Sequence, residues 1–336
     1  MIEQQLLIVI LNYLATNVTV DCLHSLSSCE AVNSGKAQVI VWENGTGADA
    51  VATLREVIDL NHWNQWVELR VSPKNLGFTG GNNRVIESAM QSAKVPDYFL
   101  LLNSDTLVTN DSLTTLIDFM DQHPSAGIAG SKLLTETGEH QCSPFRFPSM
   151  ASEFDQGLKL GVISRLLSRW SVAMTPPKKE TRVDWVSGAS MILRKQMLEQ
   201  IGLLDECYFT YFEDLDLCKR AHETDWDVWF VPQSQVIHLE GASSGIGHKI
   251  TKRRPQFWFQ ARRRFYLKHE GKFRASCIDA VYILGFSLWR LRRLLQSKPD
   301  NDPPKMLTDF VRNSVFFNGF KLPTVRVLPR INVKNK

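Results

Sequence analysis

The sequence has few cysteines for its length and no arrangement of them that is typical of a zinc site. None belongs to a C-x-x-C pair, and they are scattered over 336 residues. Disulfide-stapled and zinc-ribbon folds are therefore excluded, and free thiols in a reducing compartment are expected. The six are Cys22, Cys29, Cys142, Cys207, Cys218 and Cys277.

Long apolar runs are also missing. No run reaches the roughly 18–20 residues that a membrane-spanning helix needs. The opening stretch MIEQQLLIVILNY has no positively charged n-region and enters a strand-like run at once, so we expect no signal peptide. A hydrophobic content of 43% and a charged content of 22% are those of a globular protein, whose length allows one large domain or two smaller ones.

Acidic residues are scarce in the basic stretch 252–298. It holds thirteen Lys/Arg and two acids, a net +11, so the rest of the chain carries 4 − 11 = −7. A basic extension on an acidic body predicts an anionic partner, either a membrane or a polyanion. No nucleic-acid recognition module accompanies the basic residues, so nucleic acid is not expected as the partner.

Strand-like and helix-compatible segments alternate over the first 130 residues. The strand-like runs are 6–11, 37–42, 66–71, 97–103 and 126–130, and the helix-compatible stretches are 18–29, 49–60, 83–93 and 112–122. This rhythm predicts βαβ units and a mostly parallel sheet with helices on both faces. Ligands of such sheets gather beyond the carboxyl ends of the strands. The polar residues at those ends are Asn12, Glu43, Asn44, Asn103, Ser104 and Asp105.

The middle of the chain is less regular. Residues 132–183 lack clear periodicity and contain four prolines, so we expect an irregular insertion with one short helix near 157–170. Regular structure is predicted again at 183–195, 226–232 and 235–241.

Two stretches in the N-terminal half could bind ions, the first an anion and the second a divalent cation. In NLGFTGGNN (75–83), Gly77, Gly80 and Gly81 permit close backbone approach, and the next helix start offers N–H groups to an anion. The spacing matches no nucleotide fingerprint, so a simple tight turn explains it equally well. In LLLNSDT (100–106), Asn103 and Asp105 share a pleat face and suit Mg²⁺ or Mn²⁺, although a helix cap is the commoner use of such an ending.

An acidic cluster, FEDLD (212–216), begins the third candidate site. On a helix, Glu213, Asp216 and Arg220 share a face, and Asp214 points about 100° away from Glu213. An acid-rich helix start favoured by the helix dipole is the competing interpretation. It does not explain the aromatic approach YFTYF (208–212), which would exclude water from a carboxylate and raise its pKa towards that of a useful base.

One histidine follows these acids. His238 ends a strand-like run, QVIH. A lone histidine is more often structural or solvated, but this position also suits contact with a metal or a phosphate.

Taken in order, these segments resemble the family 2 inverting glycosyltransferases, and among them the bacterial rhamnosyltransferase-type branch. The resemblance rests on ILNY, VWENG, NLGFTGGNN, LLNSDT, WVSGASMILRK, GLLDECYFTYFEDLDLCKRA and VIHLEGASS. It covers about residues 5–270 and implies a GT-A fold, an α/β architecture with a mostly parallel central sheet flanked by helices. The expected domain spans 1–250, with a nucleotide-sugar-binding half (1–131) and an acceptor-binding half (132–250), and a C-terminal helical extension occupies 251–336.

The resemblance also implies roles for individual residues. Asp214 would be the catalytic base, with Glu213 and Asp216 supporting it or the acceptor. Asp105 and His238 would hold Mg²⁺ or Mn²⁺. Contacts with the nucleotide sugar are expected from Asn12, Glu43, Asn44, Gly77, Phe78, Gly81, Asn82, Asn83, Asn103, Trp185 and Gly188.

Two positions depart from the family pattern. Asn103 stands where other members have the first aspartate of D-x-D, which leaves one formal charge fewer near the cation. Glu43, expected to face the nucleoside base, replaces the commoner aspartate.

The activity that the resemblance implies is a metal-dependent inverting transfer of one sugar in cell-surface polysaccharide synthesis. The expected donor is dTDP-L-rhamnose and the acceptor a saccharide or lipid-linked saccharide. Because QARRR (260–264) lacks the tryptophan of the processive signature Q-x-x-R-W, single additions are expected. A UDP-hexose or galactofuranose transferase of the same family and a catalytically silent nucleotide-sugar-binding protein remain alternatives.

The basic extension allows two interpretations. Residues 276–296 hold an apolar stretch of about a dozen residues, interrupted only by Asp279, and then three arginines. Together with RRR (262–264) this predicts interfacial helices on anionic lipid, and hence a cytoplasmic protein peripheral to the inner face of the cell membrane. A packed helical subdomain with a basic outer face is the alternative.

Overall fold

The computed structural model describes residues 5–239 and 252–324. Four strands and four helices alternate in the N-terminal part, with a 3₁₀ turn at Trp63–Gln65. In chain order they are β1 (Leu6–Asn12), α1 (Thr16–Ser27), α2 (Glu30–Asn33), β2 (Ala37–Glu43), α3 (Ala48–Leu60), β3 (Val67–Val71), α4 (Gly77–Met90) and β4 (Tyr98–Asn103).

The remaining elements complete the sheet and add helices. They are β5 (Thr106–Val108), α5 (Ser112–Gln122), β6 (Ala126–Leu134), β7 (Pro144–Phe145), α6 (Met150–Leu158), α7 (Gly161–Leu166), a 3₁₀ turn at Ser168–Trp170, β8 (Thr181–Arg182), β9 (Trp185–Val186), β10 (Ser190–Arg194), α8 (Lys195–Ile201), α9 (Glu213–His222) and β11 (Asp227–His238). The C-terminal helices are α10 (Gln256–His269), α11 (Gly271–Leu295), α12 (Met306–Asn313) and α13 (Val315–Asn318).

The central sheet is mostly parallel, as predicted. Its strand order is β3-β2-β1-β4-β10-β6-β11-β5, with β8 paired to β11. Strands β3, β2, β1, β4, β6 and β11 run in one direction, and β10, β5 and β8 run against it. The carboxyl ends of β1, β2 and β4 therefore meet at one edge, next to the beginning of β10.

Helices cover both faces of the sheet, which explains the continuous apolar runs of its strands. In β1, Leu6, Ile8 and Ile10 pack into one buried cluster with residues of α1, α3 and α5. Leu7 and Val9 point the other way, into a second cluster with residues of α4, α8 and α9. A strand buried on both faces shows no polar alternation, and the predicted α/β class is confirmed.

The glycine-rich stretch is helical rather than an open loop, which differs from the expectation. Helix α4 begins at Gly77, six residues before the expected start. A Cβ at Gly81 would lie 2.7 Å from Leu11 Cδ2, and one at Gly77 would lie 2.4 Å from the carbonyl oxygen of Phe209. These glycines therefore allow α4 to approach β1 and the loop before α9 closely.

The middle of the chain holds a helix that its periodicity did not reveal. Helix α6 begins at a capping box made by Ser149 and Ser152, and its buried residues are Ser152, Glu153, Gly157 and Leu158. Met150, Phe154 and Leu158 recur every four residues, but only Leu158 among them is buried, so the apolar pattern is short and weak. The two runs expected at 226–232 and 235–241 meet in one strand, β11, with an irregularity between Val231 and Gln235. Residues 240–241 of the second run lie outside the described residues.

Helix α11 crosses α6 at very short range. A Cβ at Gly157 would lie 2.8 Å from the carbonyl oxygen of Tyr282, and one at Gly285 would lie 2.7 Å from that of Phe154. The two backbones touch because glycine occupies both positions. The insertion and the C-terminal extension therefore share one packed interface.

The arginine run of α10 faces inward. Arg262 is 4% exposed and donates to Glu153 and Asp279, each at 2.6 Å. Arg263 is also buried, and the side chain of Arg264 is only 12% exposed. The expectation that this run faces lipid is wrong, because buried carboxylates pair with Arg262.

No helix in residues 5–239 or 252–324 is both long enough and apolar enough to cross a membrane.

Candidate active site

A cleft of about 570 Å³ lies at the edge where β1 and β4 end and β10 begins. Leu11 of β1 is paired with Asn103 of β4, whose N–H donates to the carbonyl of Ala189 at 2.9 Å. Ten of the predicted site residues line this cleft: Asn44, Gly77, Phe78, Asn82, Asn103, Asp105, Gly188, Glu213, Asp214 and His238.

Asp105 and His238 face each other in this cleft. Asp105 lies between β4 and β5 and is 2% exposed, and His238 ends β11, where it pairs with Thr106 of β5. The distance from His238 Nε2 to Asp105 Oδ1 is 3.4 Å, and Asn103 Nδ2 is 3.4 Å from the same nitrogen. Three residues from two distant segments thus converge on one point.

Gln141, which the sequence did not single out, orients the ring of His238. Its amide oxygen is 3.1 Å from His238 Nδ1, and its amide nitrogen donates to the His238 carbonyl at 2.7 Å. An amide oxygen only accepts, so with the amide in this orientation Nδ1 carries a proton. Nε2 is then the ring nitrogen that faces the Asp105 carboxylate.

A ring nitrogen and a carboxylate oxygen 3.4 Å apart fit a shared cation. Mg²⁺ and Mn²⁺ suit such a place, because Mg²⁺ in particular takes only one or two carboxylates and completes its shell with water and phosphate oxygens. Within the part of the chain that the structure describes, no group of three or more His, Cys, Asp or Glu forms a metal cage. The available ligands therefore fit a cation whose remaining coordination positions are filled by water or by phosphate oxygens, and not a structural metal site.

The loop before α9 aims its acids at the cleft. Tyr211 and Phe212 have φ of 72° and 70°, a left-handed conformation that is uncommon for aromatic residues and is typical of functional sites. Asp214 accepts from the N–H of Gly188 at 3.2 Å and from the N–H of Leu215 at 2.8 Å. A Cβ at Gly188 would lie at an ordinary contact distance, 3.6 Å from Asp214 Cβ, so the backbone N–H and not the missing side chain is what this residue contributes.

Glu213 and Asp214 are both shielded from water. Burial raises the pKa of Asp214, and the N–H groups of Leu215 and Gly188 oppose that rise. Burial and the neighbouring charge of Asp214 raise the pKa of Glu213 well above its ordinary value. Glu213 Oε2 has no hydrogen-bond partner among residues 5–239 and 252–324. The site therefore holds one oriented carboxylate and one that favours its neutral form.

Asp216 points away from the cleft into a polar cluster. It accepts from Tyr208 at 3.2 Å, from Arg220 at 2.9 Å, and from Lys268 and His269 at 2.7 and 2.8 Å. Burial by itself would raise its pKa, but the hydrogen bonds from His269 and Lys268 and the charge of Arg220 lower it. Asp216 thus joins α9 to α10.

Asn44 organises the side of the cleft beside α4. Its amide nitrogen donates to the carbonyl of Gly77 and to Asn75 Oδ1, each at 3.1 Å, and its oxygen accepts from the N–H of Leu76 at 2.9 Å. Asn44 therefore fastens the turn that leads into α4, and Asn75 and Phe78 line the cleft beside it.

Six predicted site residues do not line the cleft: Asn12, Glu43, Gly81, Asn83, Trp185 and Asp216. Glu43 accepts from the N–H groups of Gly45 and Thr46 at 3.2 and 2.5 Å, and Asn12 accepts from Thr19 at 2.9 Å. Asn83 holds Leu204 through both of its amide atoms, and the Trp185 ring stacks on Phe145 at 4.0 Å. These side chains support neighbouring backbone and packing.

The aromatic approach to α9 was visible in the sequence, but its partners Phe257 and Tyr13 in an aromatic wall of the cleft were missed. Phe209, Tyr211 and Phe257 line it together with Tyr13. The Phe257 ring lies 5.9 Å from that of Tyr211 with an interplanar angle of 12°, and 6.0 Å from that of Phe209. The available signal was the aromatic cluster QFWF (256–259), which lies within the basic stretch 252–298.

The sheet with a cleft at its carboxyl edge has the architecture of the GT-A glycosyltransferases. Solved structures of this fold superpose on most of the chain. A GalNAc-T7 structure with UDP, GalNAc and Mn²⁺ matches 96% of this chain and 59% of its own length, with a TM-score of 0.56 and 14% identity. The mannosyltransferase PcManGT from Pyrobaculum calidifontis, solved with GDP-Man and Mn²⁺, matches 95% and 82%, with a TM-score of 0.53 and 9% identity.

The chain belongs to the family described as glycosyltransferase like family 2, whose model matches residues 4–265. It is 28% identical over 223 residues to an N-acetylglucosaminyl-diphospho-decaprenol L-rhamnosyltransferase of Mycobacterium tuberculosis, covering 62% of this chain and 70% of the relative. It is 30% identical over 166 residues to the rhamnosyltransferase WbbL of Escherichia coli, covering 47% and 60%. The predicted family and enzyme class are confirmed.

Proposed function

We propose that the protein is a metal-dependent inverting glycosyltransferase that transfers one sugar from a nucleoside-diphosphate sugar to a saccharide or lipid-linked saccharide. The observation that carries the proposal is that Asp214 and the Asp105–His238 pair open into the same cleft. A base and a diphosphate-binding corner must share one cavity if a hydroxyl is to displace a nucleoside diphosphate in one step.

Asp214 is the base in this proposal. It takes the proton of an acceptor hydroxyl, whose oxygen forms a bond to the anomeric carbon while the bond from that carbon to the diphosphate breaks. The electron pair leaves with the nucleoside diphosphate, and the anomeric configuration inverts. The Gly188 N–H holds the Asp214 carboxylate, and Glu213, kept largely neutral by burial, is placed to donate a hydrogen bond within the cleft.

Asp105 and His238 are the proposed holders of Mg²⁺ or Mn²⁺, with Asn103 beside them. When bound, the cation would neutralise charge on the departing diphosphate. Gln141 keeps the His238 ring in the tautomer that a ligand needs. Support comes from the two structural neighbours, both of which were solved with Mn²⁺.

The donor side is the wall built by Asn44, Asn75, Gly77, Phe78 and Asn82. We assign dTDP-L-rhamnose as donor on the strength of two rhamnosyltransferase relatives. Glu43 and Asn12 would act indirectly, by holding the loops that follow β2 and β1. A UDP-hexose or UDP-galactofuranose is the competing donor.

The acceptor side is the aromatic wall of Phe209, Tyr211 and Phe257. The flat faces of such rings suit the apolar face of a sugar. The Mycobacterium relative acts on a diphospho-decaprenol saccharide, so we propose a lipid-linked acceptor, used at the cytoplasmic face of the membrane. Segment 252–298 would bring the enzyme to that surface.

The first experiment tests the base. Asp214→Asn should reduce kcat by about 10²–10⁴-fold, while calorimetry shows unchanged donor binding with Mn²⁺. Glu223→Gln, an exposed acid of the same helical segment, is the matched control and should retain activity. Unchanged turnover in Asp214→Asn would refute the base assignment.

The second experiment identifies the nucleoside and the metal corner. Thermal shifts are recorded with dTDP, UDP and GDP, each with and without Mn²⁺. We expect the largest Mn²⁺-dependent shift with dTDP and its loss in Asp105→Ala. A larger shift with UDP would assign the competing donor. A shift without any transfer or donor hydrolysis would identify a catalytically silent binding protein.

A further inference from the structure

The outer face of α11 is an apolar stripe. Phe273, Leu284, Leu288, Leu291 and Leu295 are 81%, 54%, 43%, 57% and 78% exposed. At about 100° per residue these five positions fall within about 60° of arc, and they span about 33 Å of helix. The opposite face is packed, with Ile278, Tyr282 and Phe286 buried. These five residues are called the α11 stripe.

Most acids near the stripe are buried in ion pairs, whereas several basic side chains are exposed. Three acids of the extension are buried and paired: Asp279 with Arg262, Asp302 with Lys159, and Asp309 with Arg253. The other two acids of the described extension also have basic partners: Asp300 pairs with Arg290 and Arg293, and Glu270 with Arg274. The remaining exposed ionic side chains include the basic residues Lys272, Lys298, Lys305, Arg312 and Lys321. An apolar stripe surrounded by cations complements an anionic, partly apolar surface.

The last segment that the structure describes extends the apolar surface at one end. Phe316, Phe317 and Phe320 are 56%, 70% and 46% exposed. Lys272 lies 5.9 Å from the centre of the Phe320 ring, which places this segment beside the beginning of α11. Exposed aromatic rings near basic side chains are typical of membrane-interface regions.

Helix α11, which carries the stripe, runs antiparallel to α10, which lines the cleft at its beginning. Arg262 of α10 pairs with Asp279 of α11, while Phe259, one turn earlier, and Tyr282, one turn later, both pack on Phe310 at 6.3 and 4.0 Å. The two helices are therefore antiparallel. Counting back from Arg262 brings Phe257 to about the same height along the two helix axes as Leu284, where the second half of the stripe begins.

We propose that the α11 stripe is the docking surface for an anionic lipid bilayer, with α11 lying along the bilayer. The proposal rests on the proposed function, because it would deliver a lipid-linked acceptor beside Phe257. It also replaces the arginine run of α10 as the contact, since that run is buried. A second copy of this chain fits this surface less well than an anionic bilayer does, because pairing two stripes would bring two sets of exposed cations together.

The test is flotation of the full chain with two kinds of vesicle, phosphatidylcholine alone and phosphatidylcholine mixed with phosphatidylglycerol. We expect binding to the mixed vesicles and little to the neutral ones. The double variant Leu288→Gln with Leu291→Gln should bind at least about tenfold more weakly. Glutamine and leucine have similar helix propensities, and unchanged thermal melting would confirm that the variant folds.

Leu60→Gln is the matched control, because Leu60 is 72% exposed at the end of α3, and it should float like the unaltered protein. If the unaltered protein ignored mixed vesicles, or the double variant bound them equally well, the proposal would be overturned. It would also be overturned if light scattering showed a dimer that the double variant dissociates.

A further measurement separates this proposal from the proposed function. With a water-soluble saccharide acceptor, or in donor hydrolysis, the double variant should match the unaltered protein. Loss of vesicle binding with retained transfer supports the docking surface. Vesicle binding by a protein that transfers no sugar would refute the proposed function and leave the surface intact.

Discussion

At the scale of single residues, three acids within four positions occupy three different environments. Asp214 accepts two backbone N–H groups at the cleft, and Glu213 beside it keeps an oxygen without a partner in the described part of the chain. Asp216 is surrounded by donors from three segments. Their pKa values move in different directions for this reason, and only the first two are suited to chemistry in the cleft.

The raised pKa of Asp214 predicts the pH dependence of turnover. A base must be deprotonated to act, and burial displaces its deprotonation above the ordinary aspartate value of about 4. We therefore expect kcat to rise with pH along an acidic limb that lies above that value. Measurement of kcat over roughly pH 4–9 checks this. The exposed control Glu87→Gln should not change the pH at which kcat rises. A rise in kcat at the ordinary aspartate pKa would contradict the prediction.

The lowered pKa of Asp216 predicts the pH dependence of stability. The folded state holds the pKa of this carboxyl below the value in the unfolded chain. The ionised carboxylate therefore stabilises the fold at pH values above the unfolded pKa, and this stabilisation is lost as the pH falls towards the folded pKa. We expect Asp216→Asn to lower the free energy of unfolding by about 2–3 kcal/mol near neutral pH. The difference should shrink below about pH 4. Urea unfolding at several pH values measures it, and a difference independent of pH would exclude this mechanism.

At the scale of elements, α10 serves the site at both of its ends. Phe257 in its first turn lines the cleft. Lys268 and His269 in its last turn bind Asp216, in the first turns of α9. A helix of the C-terminal extension thus contributes a wall of the cleft and holds the helix that carries the proposed base.

Phe257 is predicted to act on the acceptor. Phe257→Ala should raise the KM for a water-soluble saccharide acceptor several-fold, with little change in the KM for the donor, because the ring stands on the aromatic wall. Phe257→Tyr keeps the ring and should restore the acceptor KM. Steady-state kinetics with each substrate varied separately make the test. Equal increases in both KM values would indicate a general disturbance of the cleft instead.

At the scale of the whole molecule, the extension and the insertion fold around a shared buried charge. Arg262 of α10 connects Glu153 of α6 with Asp279 of α11, and the side chains of all three are at most 7% exposed. The domain boundary near residue 251 stays a prediction. The contacts indicate that the two segments on either side of it are stabilised together.

The buried arginine predicts a large loss of stability when it is removed. Arg262→Met leaves two buried carboxylates without their cation, and we expect unfolding to become easier by about 3–5 kcal/mol. Arg274→Met is the matched control, because its pair with Glu270 is on the surface, and it should cost less than about 1 kcal/mol. Chemical denaturation compares them, and equal effects would show that burial of the pair is not what stabilises this interface.

Much of the fold was predictable from local pattern. Strands buried on both faces, such as β1 and β4, must be apolar throughout, so their runs were visible in the sequence. The polar residues directly after β1, β2 and β4 marked the edge at which the cleft lies. Segments such as α6 could not be predicted, because Glu153 and Gly157 are buried by partners that belong to a distant helix.

The sequence by itself determined the α/β class, the edge of the sheet that carries the site, and the acids and amides available there, since these follow from apolar periodicity and residue order. Only the tertiary structure decided which of them meet. It brought His238 to Asp105, turned Asp216 and Arg262 inward, and placed Phe257 in the cleft. The physical reason is that the environment of a charge or ring depends on partners about fifty to more than a hundred residues away in several of these cases, and no local pattern records them.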